Sequence, residues 1–311
     1  MTTVQAYQFK RFGEPDVLEL GTLDLPTLGD NQVIVIIKAV AVNPTDCKIR
    51  KGRLKEINGT HFPMYTGTDF CGVVDEIGSE VSGFKAGDFV YGSVNYKTLG
   101  GAMAEKVMTA EANIALKPEK ISYMEAAGSI SPALEAFQAI SACHNTGEGR
   151  RIFINGATNN TGMFAVQFAK MVGLDVTVSS SKNALKALKS MGADDAFHYS
   201  ERNLSDFSNA FDYLLDLIGS FTTFAAAKPM LKPEGKLITT AHLPALSGDR
   251  NVILIDVHNS GKQLQLFSRL FDLGEIRCAP VRKYTFEEVA QAHTQVESGE
   301  FIGNTIITLN S

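Results

Sequence analysis

Apolar and polar residues change their period twice along this chain. Up to about residue 107, short β-rich runs at 4–9, 17–20, 32–43, 72–77, 89–91 and 104–108 alternate with turn residues, and no helical period of useful length precedes Asp46. Beyond Pro118 the composition turns helical, and 132–143 predicts a helix. Strand and helix patterns then alternate. Strands are expected at 151–155, 174–178, 196–199, 211–217, 236–240, 277–282 and 304–309, and helices at 163–172, 182–191, 221–231, 262–273 and 285–296. Such alternation means a parallel, doubly wound sheet, and the α/β class follows from it. The last strand has no crossover helix behind it and is expected to return to the β-domain.

The densest information lies at 151–183. A strand, a polar turn from Gly156 to Gly162, a helix and a second strand form one βαβ unit, whose helix start offers backbone N–H groups and a positive dipole end to a pyrophosphate. A crossover with no ligand is the alternative reading of any single such unit. With Gly162 as third glycine of the usual fingerprint, the close-approach position falls on Asn159, and Asn160 follows. Asparagine tolerates positive φ better than other non-glycine residues, so the turn is expected to form. Its amide is expected to donate to the phosphate; the opposing reading is that its β-carbon holds the phosphate away.

Folds that bind NAD place an acid at the end of the second strand for the ribose 2′-hydroxyl. Here the strand ends Ser179-Ser180-Ser181-Lys182-Asn183, with no acid and with hydroxyl and cationic donors instead. The pattern predicts NADPH. Ser181 also suits the N-cap of the following helix, and both roles are compatible.

Length and charge add limits. With 311 residues, 44% of them hydrophobic, the chain is long enough for two domains, and a net charge of −5 gives no sign of a nucleic-acid partner. No stretch approaches the roughly 18 apolar residues of a membrane span, and residues 1–10 lack a signal-peptide run, so a cytoplasmic location is the default expectation. Cys47, Cys71, Cys143 and Cys278 form no C-x-x-C pair, which argues against a zinc ribbon and against a disulfide framework.

Asn43-Pro44-Thr45-Asp46, the stretch from Pro63 through Gly67-Thr68-Asp69 to Gly72, and Gly83-Phe84-Lys85-Ala86-Gly87-Asp88 occur in the order found in medium-chain dehydrogenases/reductases. Gly192-Ala193-Asp194 with Tyr199, the run 211–219, and Ala290-Gln291-Ala292-His293 with Glu297-Ser298-Gly299 extend the match over nearly the whole chain. The chain resembles the zinc-free, zeta-crystallin-like quinone oxidoreductase group. That resemblance implies a GroES-like catalytic domain from residues 1–125 and 265–311, a Rossmann NADPH-binding domain at 126–264, and an active cleft between them. It also implies that no metal binds. Asn43 and Thr68 stand where metal-dependent relatives carry a cysteine and a histidine ligand, and neither is a thiolate or an imidazole.

Carried over position by position, Asn43, Asp46, Lys48 and Tyr65 would line the nicotinamide end. Asp46 has a structural hydrogen-bonding role as its alternative. Thr158, Asn159, Asn160 and Thr161 would hold the pyrophosphate, and Ser180 and Lys182 the 2′-phosphate, with Tyr199 beside it. Thr240 and Ala241 would cover the nicotinamide ribose. The expected reaction is metal-free hydride transfer from NADPH to a quinone or similar electrophile, with proton supply from solvent. An enal or enone reductase, with Tyr65 or Tyr96 as proton donor, and a non-enzymatic NADPH-binding protein are the alternatives. A small-molecule electrophile is the expected partner, and a homodimer is left open.

Overall fold

The computed structural model describes residues 2–94, 101–220, 224–226, 228–240 and 248–309. Ala241 and Tyr96 lie outside them. The chain divides into two compact units, 1–131 with 259–311 and 132–258, against expected boundaries at 125 and 264. The division after residue 131 falls inside α3 (Tyr123–Ser141), of which the expected helix at 132–143 is the second half and which runs through Pro132.

The first unit is built on two sheets that are antiparallel except for one parallel pair of strands at the edge of the larger one. Strands β1 (Thr2–Phe9), β2 (Glu19–Leu25) and β4 (Met64–Tyr65) form a small sheet in the order β2-β1-β4. The larger sheet centres on β3 (Gln32–Val42), which pairs with β5 (Asp69–Ile77) and β7 (Lys106–Ala110). It is extended by β6 (Phe89–Ser93) and β8 (Ile114–Leu116) on one side, and by β15 (Val281–Thr285) and β16 (Asn304–Thr308) on the other. As expected, the last strand returns: β16 runs antiparallel to β3, with Thr305 opposite Val42. Val33, Val35 and Ile37 alternate into a core with Phe9, Phe70, Val107 and Ile307. Each such side chain contributes about 1.5–3 kcal/mol by leaving water.

Two short helices follow β3, α1 (Pro44–Arg50) and α2 (Lys55–Asn58). The segment expected as a strand at 17–20 is a 3₁₀ turn, Pro15–Val17, running into β2, because Pro15 pre-sets the first turn. The strand expected at 277–282 lies later, at β15, where pairing with β16 fixes its register. Helices α6 (Gly261–Leu273) and α7 (Val289–Ser298) complete the unit.

The second unit is the doubly wound part. It contains β9 (Arg151–Asn155), α4 (Asn160–Met171), β10 (Asp175–Ser180), α5 (Lys182–Ser190), β11 (Asp195–His198), β12 (Phe211–Asp216), β13 (Leu231–Thr239) and β14 (Val252–Leu254). All neighbours are parallel, in the order β11-β10-β9-β12-β13-β14. The order reverses between β9 and β12, and ligands of such sheets lie outside the carboxyl ends of the strands at that point. Phe153, Phe197, Phe211, Leu214 and Leu237 pack one face. The helix expected at 221–231 falls partly outside the described residues, and its last position, Leu231, already begins β13.

Candidate functional site

At the end of β9 the chain leaves the sheet through Gly156 at φ +77°, a left-handed conformation that glycine adopts without steric cost. Gly162 has a different reason to be glycine. A Cβ there would stand 2.5 Å from Ala157 Cα, so the start of α4 packs directly on the turn backbone. Asn159 does not take up positive φ as expected. It sits at φ −89° and ψ 174° and caps α4, its Oδ1 accepting from Gly162 N at 2.9 Å. Because the cap satisfies one helix-start amide through the side chain, the carbonyl end of Asn159 faces its own helix and only the NH₂ end is left to donate outward.

Beyond β10 the expected phosphate donors separate into two groups. Ser180 is buried, 1% exposed, with its Oγ 3.0 Å from Thr158 Oγ1, and Thr158 Oγ1 also accepts from Ser181 N at 3.1 Å. That pair, with Ser180 buried and Thr158 half-buried, ties the turn after β9 to the end of β10. Ser181 is at the N-cap position of α5, at φ −68° and ψ 152°, yet makes no side-chain cap bond. Its hydroxyl and the exposed Lys182 at the first helical position are the donors this strand end offers. Sequence reasoning named Ser180 and treated Ser181 as a cap; in the structure Ser180 is buried against Thr158, and Ser181, just past β10, makes no side-chain cap bond. Register places His198 opposite Ser180, and the exposed Tyr199 stacks on His198 with ring centroids 4.1 Å apart.

Three more side chains organise the strand ends, and none was anticipated. Asn155 Nδ2 donates to Asp216 Oδ1 at 3.1 Å, while Asn155 Oδ1 accepts from Ser179 Oγ at 3.0 Å, a polar zip across β10, β9 and β12. Glu135, on α3, accepts from Thr161 Oγ1 at 3.0 Å and from Thr240 Oγ1 at 2.9 Å. Its signal in the sequence is a single acid inside the otherwise apolar run Pro132-Ala133-Leu134-Glu135-Ala136-Phe137. The residues present fit a dinucleotide: a left-handed glycine exit, a helix start pressed onto the turn, and hydroxyl and ammonium donors after the second strand.

In the first unit the loop after β3 is a closed polar network. Asp46 is fully buried and accepts from Asn43 N at 2.7 Å, Gly67 N at 2.9 Å and Thr66 Oγ1 at 3.3 Å. Burial pushes its carboxyl up to about 7, the Asp69 charge adds to this, and those donors pull the other way. Asp69, also fully buried, accepts from Asn43 Nδ2, Ser93 Oγ, Ser131 N and Ser131 Oγ, all at 2.8–2.9 Å. Burial raises its pKa as well. Asn43 joins the two carboxylates, through its backbone to one and its side chain to the other.

The other expected members of this set differ. Lys48 is exposed on α1. Tyr65 donates its hydroxyl to Thr22 O at 2.9 Å within the small sheet, so that proton is already placed. Behind α1, Cys47 Sγ lies 3.5 Å from His293 Nδ1, and the fully buried Arg50 pairs with Glu297 at 2.5 Å. Two motifs that are distant in sequence, on α1 and α7, therefore meet in one buried cluster. Among the described residues no three histidine, cysteine, aspartate or glutamate side chains are grouped to hold a metal ion. The amide of Asn43, hydrogen-bonded to Asp69, is a neutral donor and not a metal ligand.

The alcohol dehydrogenase GroES-like domain family matches residues 29–119, and the zinc-binding dehydrogenase family matches residues 191–307. A 2-methylene-furan-3-one reductase of Solanum lycopersicum is 30% identical over 314 residues, covering 98% of this chain and 79% of the relative. The chloroplastic NADPH-dependent alkenal/one oxidoreductase of Arabidopsis thaliana is 28% identical, with the same shares covered. The solved structure of the quinone oxidoreductase from Coxiella burnetii superposes with a TM-score of 0.91 at 27% identity, covering 99% of this chain and 100% of that one. With the doubly wound order of the second unit and the β3-centred sheet of the first, these matches establish that the chain belongs to the medium-chain dehydrogenase/reductase family of oxidoreductases, in its quinone oxidoreductase group.

Proposed function

We propose that this protein is an NADPH-dependent reductase of small electrophiles, with quinones as acceptors and conjugated enals or enones as the second class. The observation that carries the cofactor half is the end of β10, where an unengaged serine hydroxyl and an exposed lysine stand in place of an acid. The acceptor half rests on relatives whose names describe reduction of quinones and of conjugated alkenals and ketones.

When bound, a reduced nicotinamide supplies the hydride. The chain's own groups then bind and orient: backbone amides at the start of α4 and the Asn159 NH₂ toward the pyrophosphate, Ser181 and Lys182 toward the 2′-phosphate. A quinone accepts one hydride and one proton to become a hydroquinone, and the proton comes from solvent. Asp46 and Asp69 are positioning residues in this scheme. Their carboxylates accept hydrogen bonds that fix the loop carrying Asn43 and Lys48. Tyr65, its proton placed on Thr22, is not assigned a proton-transfer step.

Steady-state oxidation of NADPH and NADH against a panel of quinones and 2-alkenals tests the reading. Turnover of quinones with NADPH preferred is the expected result. Turnover confined to alkenals moves the assignment to the second class, and NADPH binding without turnover of any acceptor refutes the enzymatic reading. We further propose that catalysis needs no metal, since Asn43 and Thr68 offer no thiolate or imidazole. Stoichiometric zinc in purified protein, with activity lost on chelation, would sink that part. A cytoplasmic location and a homodimer belong to the same proposal, checked by cell fractionation and by light scattering.

A further inference from the structure

Glu135 receives two hydrogen bonds from residues at neighbouring places on the carboxyl side of the sheet. Thr161, in the first turn of α4, donates to Oε2, and Thr240, the residue directly after β13, donates to Oε1. Both hydroxyl protons are thereby committed, so toward any ligand these threonines act only as acceptors. An ionised carboxylate has about four lone-pair sites, and two are used here. Glu135 and Thr240 are both partly exposed, whereas Thr161 is buried at 6%. The result is a carboxylate held in one orientation at the strand ends, with acceptor capacity remaining and the two threonine oxygens beside it free to act only as acceptors. Such a group repels phosphate oxygens and suits a ligand edge bearing O–H donors.

Resting on the cofactor reading above, we propose that Glu135 is a specificity-determining residue that accepts a hydrogen bond from a ribose hydroxyl in the nicotinamide half of the dinucleotide. It does on the β13 side what an acid after the second strand does for the adenosine ribose in NAD-binding folds. The acid absent at Ser181 and Lys182 is thus supplied elsewhere, for the other ribose. The phosphates are left to the backbone amides of α4 and to Asn159. Thr161 is a positioning residue, since it is buried and acts through Glu135.

Calorimetric titration of the intact protein with NADPH and with 2′,5′-ADP, which has the adenosine 2′-phosphate half and lacks the nicotinamide riboside, tests this. Glu135→Ala should weaken NADPH by about tenfold or more, as expected for a hydrogen bond to a charged acceptor, and leave 2′,5′-ADP within about twofold. Glu135→Gln, which preserves shape and removes charge, should weaken NADPH in the same direction and serves if the alanine variant does not fold. Thr161→Val should hold NADPH within about threefold. Equal weakening of both ligands in the Glu135 variants would show a strut of the turn and overturn the inference. So would unchanged NADPH affinity, or a Thr161→Val loss as large as that of Glu135→Ala. A wild-type chain that binds 2′,5′-ADP and NADPH equally tightly also overturns it, because the nicotinamide half then contributes nothing. Wild type that binds neither ligand overturns the cofactor reading itself.

Discussion

Two helices in this protein begin at an asparagine N-cap, and their surroundings are opposite. At Asn43 the two neighbouring carboxylates are committed: Asp46 and Asp69 together take seven donors, as three and four, and both are fully buried. At Asn159 a cap bond to Gly162 N is made, but the asparagine is exposed, Ser181 makes no side-chain cap bond at the start of α5, and Lys182 is exposed. A saturated buried network fixes geometry and leaves nothing to offer a ligand. A capped turn beside a serine that makes no cap bond and an exposed lysine is held by its own helix and keeps those donors available. Polar residues of the same type thus stand in a closed network in one unit and at an open turn in the other.

The largest expected effect comes from opening the closed network. Asp69→Ala strands four buried donors and should cost about 3–5 kcal/mol in denaturant unfolding, as when one partner of a buried charged network is removed. A loss below about 1 kcal/mol would show that the loop is held by packing instead. Nicotinamide cofactor titration of the same variant separates the two regions further, since Lys182 and Ser181 are untouched.

Acid titration sharpens the comparison inside the first unit, because two buried groups there pull in opposite directions. Burial raises Asp46 from 3.8 to about 7, so the folded state takes its proton first and this group adds stability as pH falls from about 7 toward 3.8. Burial, then the Arg50 charge, lowers His293 from 6.5 to about 3, so its contribution is present above 6.5 and is lost as pH falls toward 3. A tenfold change in proton affinity is worth about 1.4 kcal/mol, which sets the largest slope, per pH unit, that either group can add. Asp46→Asn should therefore lose stability more steeply than wild type between pH 6.5 and 4.5, and His293→Gln less steeply. Denaturant midpoints measured across that range with both slopes changed in the same sense would contradict the assignment.

Breaking the open site should spare stability and cost affinity. Lys182→Ala should weaken NADPH by about one to two decades, a charge-assisted contact of roughly 1.5–3 kcal/mol, with NADH unaffected. Ser181→Ala is the finer version. Since Ser181 makes no cap bond, the usual loss of about 1 kcal/mol for removing a capping serine should be absent, while NADPH weakens several-fold and NADH does not. Fluorescence titration and thermal unfolding of the same preparations decide between cap and ligand.

The smallest effect is expected at Asn159. Asn159→Ala removes the bond to Gly162 N and should cost about 1 kcal/mol of stability, whereas Asn159→Gly should cost only a few tenths. NADPH affinity should fall modestly in both, through loss of the NH₂ donor. Tighter NADPH binding in the glycine variant would show that the side chain obstructs the phosphate.

Much of this was legible in the sequence, for definite physical reasons. Hydrophobic period and turn residues report local structure, so the βαβ unit at 151–183, the β-rich first part and the returning last strand could be placed from the chain alone. The absence of an acid after β10 is also a property of composition at one place. Pairing register and helix continuity are not local. Val281–Thr285 is a strand because β16 stands beside it, and α3 continues through Pro132 although the residues before a proline disfavour helix.

The sequence by itself therefore determined the α/β class, the dinucleotide turn and the residue types available at each strand end. Only the tertiary structure decided which of them are engaged inside the fold. It buried Ser180 against Thr158 and left Ser181 open, bent Asn159 back onto Gly162, and joined Asn43 to two carboxylates from different elements. It also brought Glu135, distant in sequence, between Thr161 and Thr240. The reason is that a side chain's direction and partners depend on which backbone segments lie beside it, and those neighbours come from elements that no window along the chain contains.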